Sequence, residues 1–535
     1  MTVFCRQPCD ESVLRCRAAE QPCTARTGAL VLAATVIGSS MAFIDGTVVN
    51  VALPTIQQDL DASVASLQWI VESYALLLSA LILVGGAMGD RYGRKRIFAV
   101  GIGIFALASA WCGLAPDTEQ LILARAVKGV GAALLVPGSL ALITATFSIE
   151  QRGRAIGTWS ALTALAMAFG PVLGGWLVDN VSWRWIFFIN LPLAAAVLLI
   201  LRLGVPESRD DASDGPLDWR GASYATFGLG AFVFGLIEAG PRGLDDPLVL
   251  GALAFSLPLL ALFVRCQRRG KAPMMPPVLF RSIPFSGANL ITLLLYAALG
   301  GALFFFPFSL VQLHGYSATE AGAAFLPLVL IMFGLSRWSG GLVDRFGGKL
   351  PLTVGPIIAA VGFSLFALPG LEGSYWTTFF PAVVVLGLGL AISVPPLTTV
   401  VLGAVDDRYA GVASGVNNAV ARTAGLLAIA LMGLLMDAVF NESLDFDIIS
   451  LSLPEDARAA LDAERVKLAA AMPPPGLSDG LRAAVDLAIR NAFLLGFQIV
   501  MLLAAALSLL SACIALLTIG GKPAAVAEPT GAAAS

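Results

Sequence analysis

Apolar positions along the chain gather into fourteen runs, separated by short polar breaks. The runs lie at about 28–53, 66–88, 96–115, 118–147, 154–178, 184–204, 219–240, 247–266, 284–312, 318–342, 350–370, 375–403, 409–439 and 491–519. About 20 apolar residues suffice for a helix to cross a bilayer. Each run therefore predicts a transmembrane helix with all its backbone donors satisfied internally. No run alternates with the two-residue period of a membrane β-barrel strand. The expected fold is an all-α polytopic membrane protein.

The polar breaks carry the organisation. Gly89-Asp90-Arg91-Tyr92-Gly93-Arg94-Lys95-Arg96 separates the second and third runs, and a degenerate copy, Val343-Asp344-Arg345-Phe346-Gly347-Gly348-Lys349, recurs later. A charged turn repeated between membrane-length segments points to two related halves. Setting aside the seventh and eighth runs leaves two sets of six. The expected organisation is a tail at 1–27, a six-helix bundle at 28–204, linkers with two inserted helices (about 219–240 and 247–266) at 205–283, a second bundle at 284–520, and a tail at 521–535. The second bundle includes a long loop, 440–490. Within it, Pro454–Ala471 reads as an amphipathic helix, ended by Pro473-Pro474-Pro475, and Ser478-Asp479 starts a helical stretch running into the last span. This loop is either a lid or a long connection, the connection being the simpler expectation.

Composition agrees. Charged residues are 13% of the chain and mean hydropathy is +0.84, whereas a soluble domain carries about 25% charged residues. With both termini in the cytoplasm, 22 of the 33 Lys and Arg residues fall on the cytoplasmic side and only Arg184 and Arg242 on short outer loops, as the positive-inside rule requires. The polar first 27 residues do not read as a signal peptide. Nothing suggests a nucleic-acid partner. Cys5, Cys9, Cys16 and Cys23 match no common zinc spacing, and Cys112, Cys266 and Cys513 read as packing or lipid-facing residues. With one His, His314, no metal or other cofactor is expected, and an intramembrane hydrolase lacks its parts.

Five segments, in order, resemble signatures of the major facilitator superfamily, specifically its fourteen-helix drug/proton antiporters. Asp45-Gly46-Thr47-Val48-Val49-Asn50-Val51-Ala52-Leu53-Pro54 resembles D-x-T-x-V-N-V-A-L-P. The charged turn with Gly86, Asp90, Arg91, Gly93, Arg94 and Lys95 resembles G-x-L-A-D-R-x-G-R-K. Arg125 to Gly131 resembles R-x-x-x-G-x-G, with Lys128 where Gln is frequent. Gly157, Gly170, Pro171, Gly174 and Gly175 resemble the antiporter signature of the fifth helix, with Ala166 at its central glycine position. Trp183 to Pro192 resembles W-R-W-I-F-x-I-N-x-P.

Asp45, Glu72 and Arg125 all fall in the outer half of the bilayer by helix rise, at depths on the order of 10 Å. Intramembrane acids are expensive and are functional candidates by default. A buried carboxyl beside an arginine is either a proton site or a static ion pair, and Glu72 is a second acid or a group facing outer water. Gly86 and Gly93 suit close helix approach and a tight turn. Asp90, with Asp344 and Arg345 in the copy, would form a conformational latch or simply set topology. The fifth-helix motif is a seam that separates exporters from importers, or ordinary packing. Asn418 and Arg422, one turn apart, either line a cavity or hold backbone carbonyls at a helix break. Pro395-Pro396 would break the twelfth helix, and Phe304 to Phe306 face either ligand or lipid.

The resemblance implies a monomeric secondary transporter, not an enzyme. It would exchange protons for small hydrophobic or amphipathic compounds by alternating access in a bacterial-type inner membrane. A narrow exporter of one natural product is the nearer alternative, and an importer the farther one.

Overall fold

The computed structural model describes residues 25–209, 218–270, 273–406 and 409–520. The cysteine cluster at 5–23 and the C-terminal tail lie outside them. Among the described residues the chain is helical, without strands. Fourteen helices are long and apolar enough to cross a membrane. They are α1 (Arg26–Asp59), α2 (Val64–Tyr92), α3 (Arg94–Leu114), α4 (Thr118–Thr146), α5 (Gln151–Asn180), α6 (Trp185–Gly204), α7 (Trp219–Arg242), α8 (Pro247–Arg269), α9 (Ile283–Leu313), α10 (Ala318–Gly340), α11 (Lys349–Phe366), α12 (Phe380–Gly403), α13 (Ala410–Ile449) and α14 (Asp479–Thr518).

In the first bundle α4 packs on α2 and α3, while α1 packs on α5, α6 and α4. In the second, α11 packs on α12 and α14, and α9 on α13 and α14. The hairpin of α7 and α8 leans through α7 on the seam where α2 meets α13. Close backbone approach rests on small residues, as expected where lipid offers no hydrophobic driving force. A Cβ at Gly101 would sit 2.9 Å from the Gly131 carbonyl, and one at Gly362 2.6 Å from the Leu386 nitrogen.

Several element boundaries depart from the sequence reading. α1 does not stop near Pro54 but runs through it to Asp59. The Pro395-Pro396 pair does not break α12, which is continuous from Phe380 to Gly403. α13 runs past its expected end to Ile449, whereas α14 begins at Asp479 after Ser478, where the sequence reading put the start of that helical stretch. The loop helix spans Glu455–Glu464 and gives way to a 3-10 turn at Arg465–Ala470, where Leu468 sits at φ +52° with its side chain buried. Phe304, Phe305 and Phe306 face neither ligand nor lipid. All three are core residues, and Phe306 packs edge-on against Phe325, Phe366 and Phe379.

The two ends of the molecule differ. At the end opposite the charged turns, here the loop end, the bundles touch. Gly175 of α5 abuts the Ala318 carbonyl of α10, and the Pro171 carbonyl abuts Gly322. Toward the charged turns, here the basic end, α5 is uncovered. Leu162 and Leu165 are 43% and 41% exposed and Gly157 has open space around it. The bundles therefore meet through α5 and α10 at the loop end, while α2 and α13 also touch nearer the basic end, where Leu83 lies against Gly415.

Candidate functional site

Asp45, midway along α1, is buried and takes two cations from α4. Arg125 donates through Nη1 to Asp45 Oδ2 at 2.5 Å, and Lys128 donates through Nζ to Oδ1. Arg125 Nε donates to the Ile70 carbonyl at 2.9 Å, and its guanidinium lies 4.3 Å from the Tyr74 ring centre. Lys128 Nζ is 4.7 Å from the Phe105 ring and 4.8 Å from Phe187. Desolvating three charges costs several kcal/mol per ion unless each is paired and hydrogen-bonded, and here both carboxylate oxygens are engaged. The sequence reading left Lys128 out of the site. Its signal was present, because positions three apart share a helix face.

Glu72 does not join this cluster. It is buried on α2 with neither carboxyl oxygen hydrogen-bonded among the described residues. Similar depth along three helices did not bring the three side chains together, because rise fixes height and not the facing direction. Glu72 faces no outer water in this conformation.

At the charged turn, Asp90 pairs with Arg94 through two contacts of 2.8 Å. The start of α3 is capped by a residue that sequence reasoning missed. Glu207 accepts from the backbone N–H of Lys95 at 2.9 Å and of Arg96 at 3.0 Å. Gly93 holds φ +109°, and a Cβ there would strike the Glu207 carboxylate. Arg91 lies over the Tyr92 ring at 5.6 Å. The close helix approach expected of Gly86 belongs to its neighbour Gly85, which abuts the Ala133 carbonyl, whereas a Cβ on Gly86 would make ordinary contact with Pro137 at 3.5 Å. In the repeated turn Gly347 also has positive φ, but Gly348 replaces the arginine four residues after the acid, and exposed Asp344 and Arg345 make no ion pair among the described residues.

The α5 motif divides in two. Gly170 and Gly174 seat α5 against Thr47 and Val48 of α1, while Pro171 and Gly175 form the contact with α10 at the loop end. Gly157 takes no part. Two polar devices reinforce the same closure. The Asp179 carboxylate at the end of α5 accepts from the N–H groups of Ala318 (3.1 Å) and Thr319 (2.8 Å) and from the Thr319 hydroxyl (2.5 Å), capping a helix of the other bundle. The long loop is docked as well. Lys467 Nζ contacts Asp61 and Glu464 at 2.7 Å, and its carbonyl accepts from Gln57, which in turn accepts from Gln312. These two carboxylates hold the Lys467 ammonium above the usual lysine range.

Toward the basic end a cavity of about 360 Å³ opens between α9, α12 and α13. Asn418 and Arg422 both line it; the Asn418 amide also donates to the Ser414 carbonyl at 3.0 Å, and α13 is unbroken there.

The Major Facilitator Superfamily model matches residues 35–429. The chain is 33% identical over 504 residues to the tetracenomycin C resistance and export protein of Streptomyces glaucescens, covering 92% of each. It is 37% identical over 393 residues to the puromycin resistance protein of Streptomyces alboniger, covering 73% of this chain and 78% of that one. It is 34% identical over 426 residues to a multidrug resistance protein of Mycobacterium tuberculosis, covering 78% of each. Among solved structures, a bacterial homologue of the human lysosomal transporter Spinster, inward-facing and unoccupied, superposes with a TM-score of 0.64 at 20% identity, covering 93% of this chain and 99% of the other. The fourteen spans, the paired bundles and these matches place the chain in the Major Facilitator Superfamily as a membrane transporter, not an enzyme.

Proposed function

We propose that this protein exports small hydrophobic or amphipathic compounds in exchange for protons, by rocking its two six-helix bundles about a central cavity. It works as a monomer in a bacterial-type plasma membrane, with both termini and the basic end in the cytoplasm and the loop end outside. The observation that carries the reading is Asp45, an intramembrane acid held between Arg125 and Lys128. While both cations engage it, the carboxylate is favoured. A rearrangement that draws them away in water's reach favours the protonated acid, since an isolated charge in apolar surroundings is costly. Glu72 is a second intramembrane acid available to the cycle. Asp90 with Arg94, and their weaker copy at Asp344 and Arg345, would serve the conformational switch at the basic end. Proton entry through 100 mV supplies about 2.3 kcal/mol, enough for a roughly 50-fold gradient of a neutral compound.

Relatives named for resistance and export support drug efflux. Several are named for single antibiotics, which favours, as a second reading, export of one natural product. The test is proton movement in energised inverted vesicles, followed with a pH dye, for the wild type and Asp45→Asn matched for folded protein. Compounds from a panel of cationic, neutral and anionic aromatics should collapse the pH gradient only with Asp45 intact. Equal collapse by the variant would remove Asp45 from coupling; no response to any compound would sink the broad-efflux reading.

A further inference from the structure

Among the described residues, Arg422 is the one cation on the wall of the 360 Å³ cavity, and none of them there is an acid. Among the described residues its guanidinium makes neither a hydrogen bond nor an ion pair. An unpaired arginine deep in a membrane protein is costly to hold and marks a site by default. Its planar fork of donors fits a carboxylate or enolate two-pronged. A second donor lines the same cavity, because Asn417 Oδ1 is occupied by the Thr292 hydroxyl at 2.7 Å and its Nδ2 is left over. Tyr296 lines the same wall.

The surrounding charge has the same sign. Asp45 has both oxygens committed to Arg125 and Lys128, so it offers no counter-charge to Arg422. Tyr74, whose ring lies against Arg125, is within electrostatic reach of Arg422 too. Glu72, the remaining acid in the first bundle's interior, contacts none of these cations. A cavity with excess positive charge and low-dielectric walls concentrates anions and repels cations. Its volume is that of a drug-sized ligand site.

We propose that Arg422 and Asn417 form the subsite for an acidic group, so that the exported compounds are anionic aromatics (carboxylates, or phenols and enols ionised at neutral pH) and not lipophilic cations. This rests on the export reading and names its substrate class.

The test is binding to the purified full-length protein in nanodiscs, with no pH gradient. Three probes share one ring system: 9-anthracenecarboxylate, 9-anthracenemethanol and 9-(aminomethyl)anthracene. The carboxylate should bind about tenfold more tightly than the alcohol, and the ammonium most weakly, as expected of one charge-assisted two-pronged contact. Arg422→Gln should remove the carboxylate's advantage and leave the alcohol unchanged, and Arg422→Lys should restore part of it. Equal binding of the three probes, preference for the ammonium, or equal loss of alcohol and carboxylate in Arg422→Gln would overturn the proposal. Should Arg422→Gln bind no alcohol, the wild-type order decides alone. Because no gradient is used, a failure of proton-driven export leaves this result standing, and a preference for the ammonium leaves export standing.

Discussion

Asp179→Ala should shift the protein toward the state open at the loop end. Asp179 reaches across the bundle interface and accepts three hydrogen bonds at the start of α10, two of them from orphan backbone N–H groups. An acidic cap of this kind is worth about 1 kcal/mol, with a range of roughly 0.5–2. The residue is exposed, so solvent screens the charge and the upper end is not expected. These bonds exist only while the bundles touch, so their whole value bears on the conformational equilibrium. Losing about 1 kcal/mol raises the open population roughly fivefold. The assay is a spin-label distance between Glu119→Cys and Glu372→Cys, exposed positions at the loop ends of the two bundles, with native cysteines replaced. The long-distance population should grow by that factor. Asp59→Ala is the control, since Asp59 accepts from Trp183 at 2.8 Å and Arg184 at 2.9 Å within one bundle. An unchanged distribution in Asp179→Ala, or an equal shift in Asp59→Ala, would refute the reasoning.

Other outcomes follow from the same contacts. Gly175→Val should bias the same spin-label distance more strongly, because its Cβ meets the Ala318 backbone and not a yielding side chain, whereas Gly157→Ala, with nothing nearby, should leave it unchanged. Asp45→Asn should destabilise the protein more than Lys128→Gln: the first strands two buried cations, at roughly 3–5 kcal/mol for a broken buried pair, and the second leaves a one-to-one pair. Thermal unfolding in detergent gives the order, and a lower melting temperature for Lys128→Gln would contradict it. The Lys467 contribution to docking of the long loop should persist through neutral pH and be lost in strong alkali. Lys467 has a raised folded value, so its contribution is present in full below the usual lysine value of about 10.4 and disappears as pH climbs through the folded one. A dye at Glu455→Cys should gain mobility there, and Lys467→Gln should be mobile already at neutral pH.

Much of the architecture was readable in one dimension. Membrane spans are set by run length, because hydrocarbon thickness and helix rise are fixed quantities, and all fourteen appear near their expected positions. The duplicated charged turn also survives as paired positive-φ glycines, Gly93 and Gly347. Two of the boundary errors share a cause: the first span was ended before Pro54 and the twelfth was expected to break at Pro395-Pro396, yet neighbouring helices hold both helices continuous.

What the chain decided by itself, then, was span number, the acid and cation in α1 and α4, and the small residues that let helices touch. All of these depend on local composition against a solvent of known thickness. The tertiary structure alone decided which side chains meet. It joined Lys128 to Asp45 and Arg125 and left Glu72 apart. It gave the α3 cap to Glu207 and used Asp179 and Lys467 to close the loop end. Those pairings depend on helix rotation and on contacts between residues eighty or more positions apart, which no local periodicity encodes.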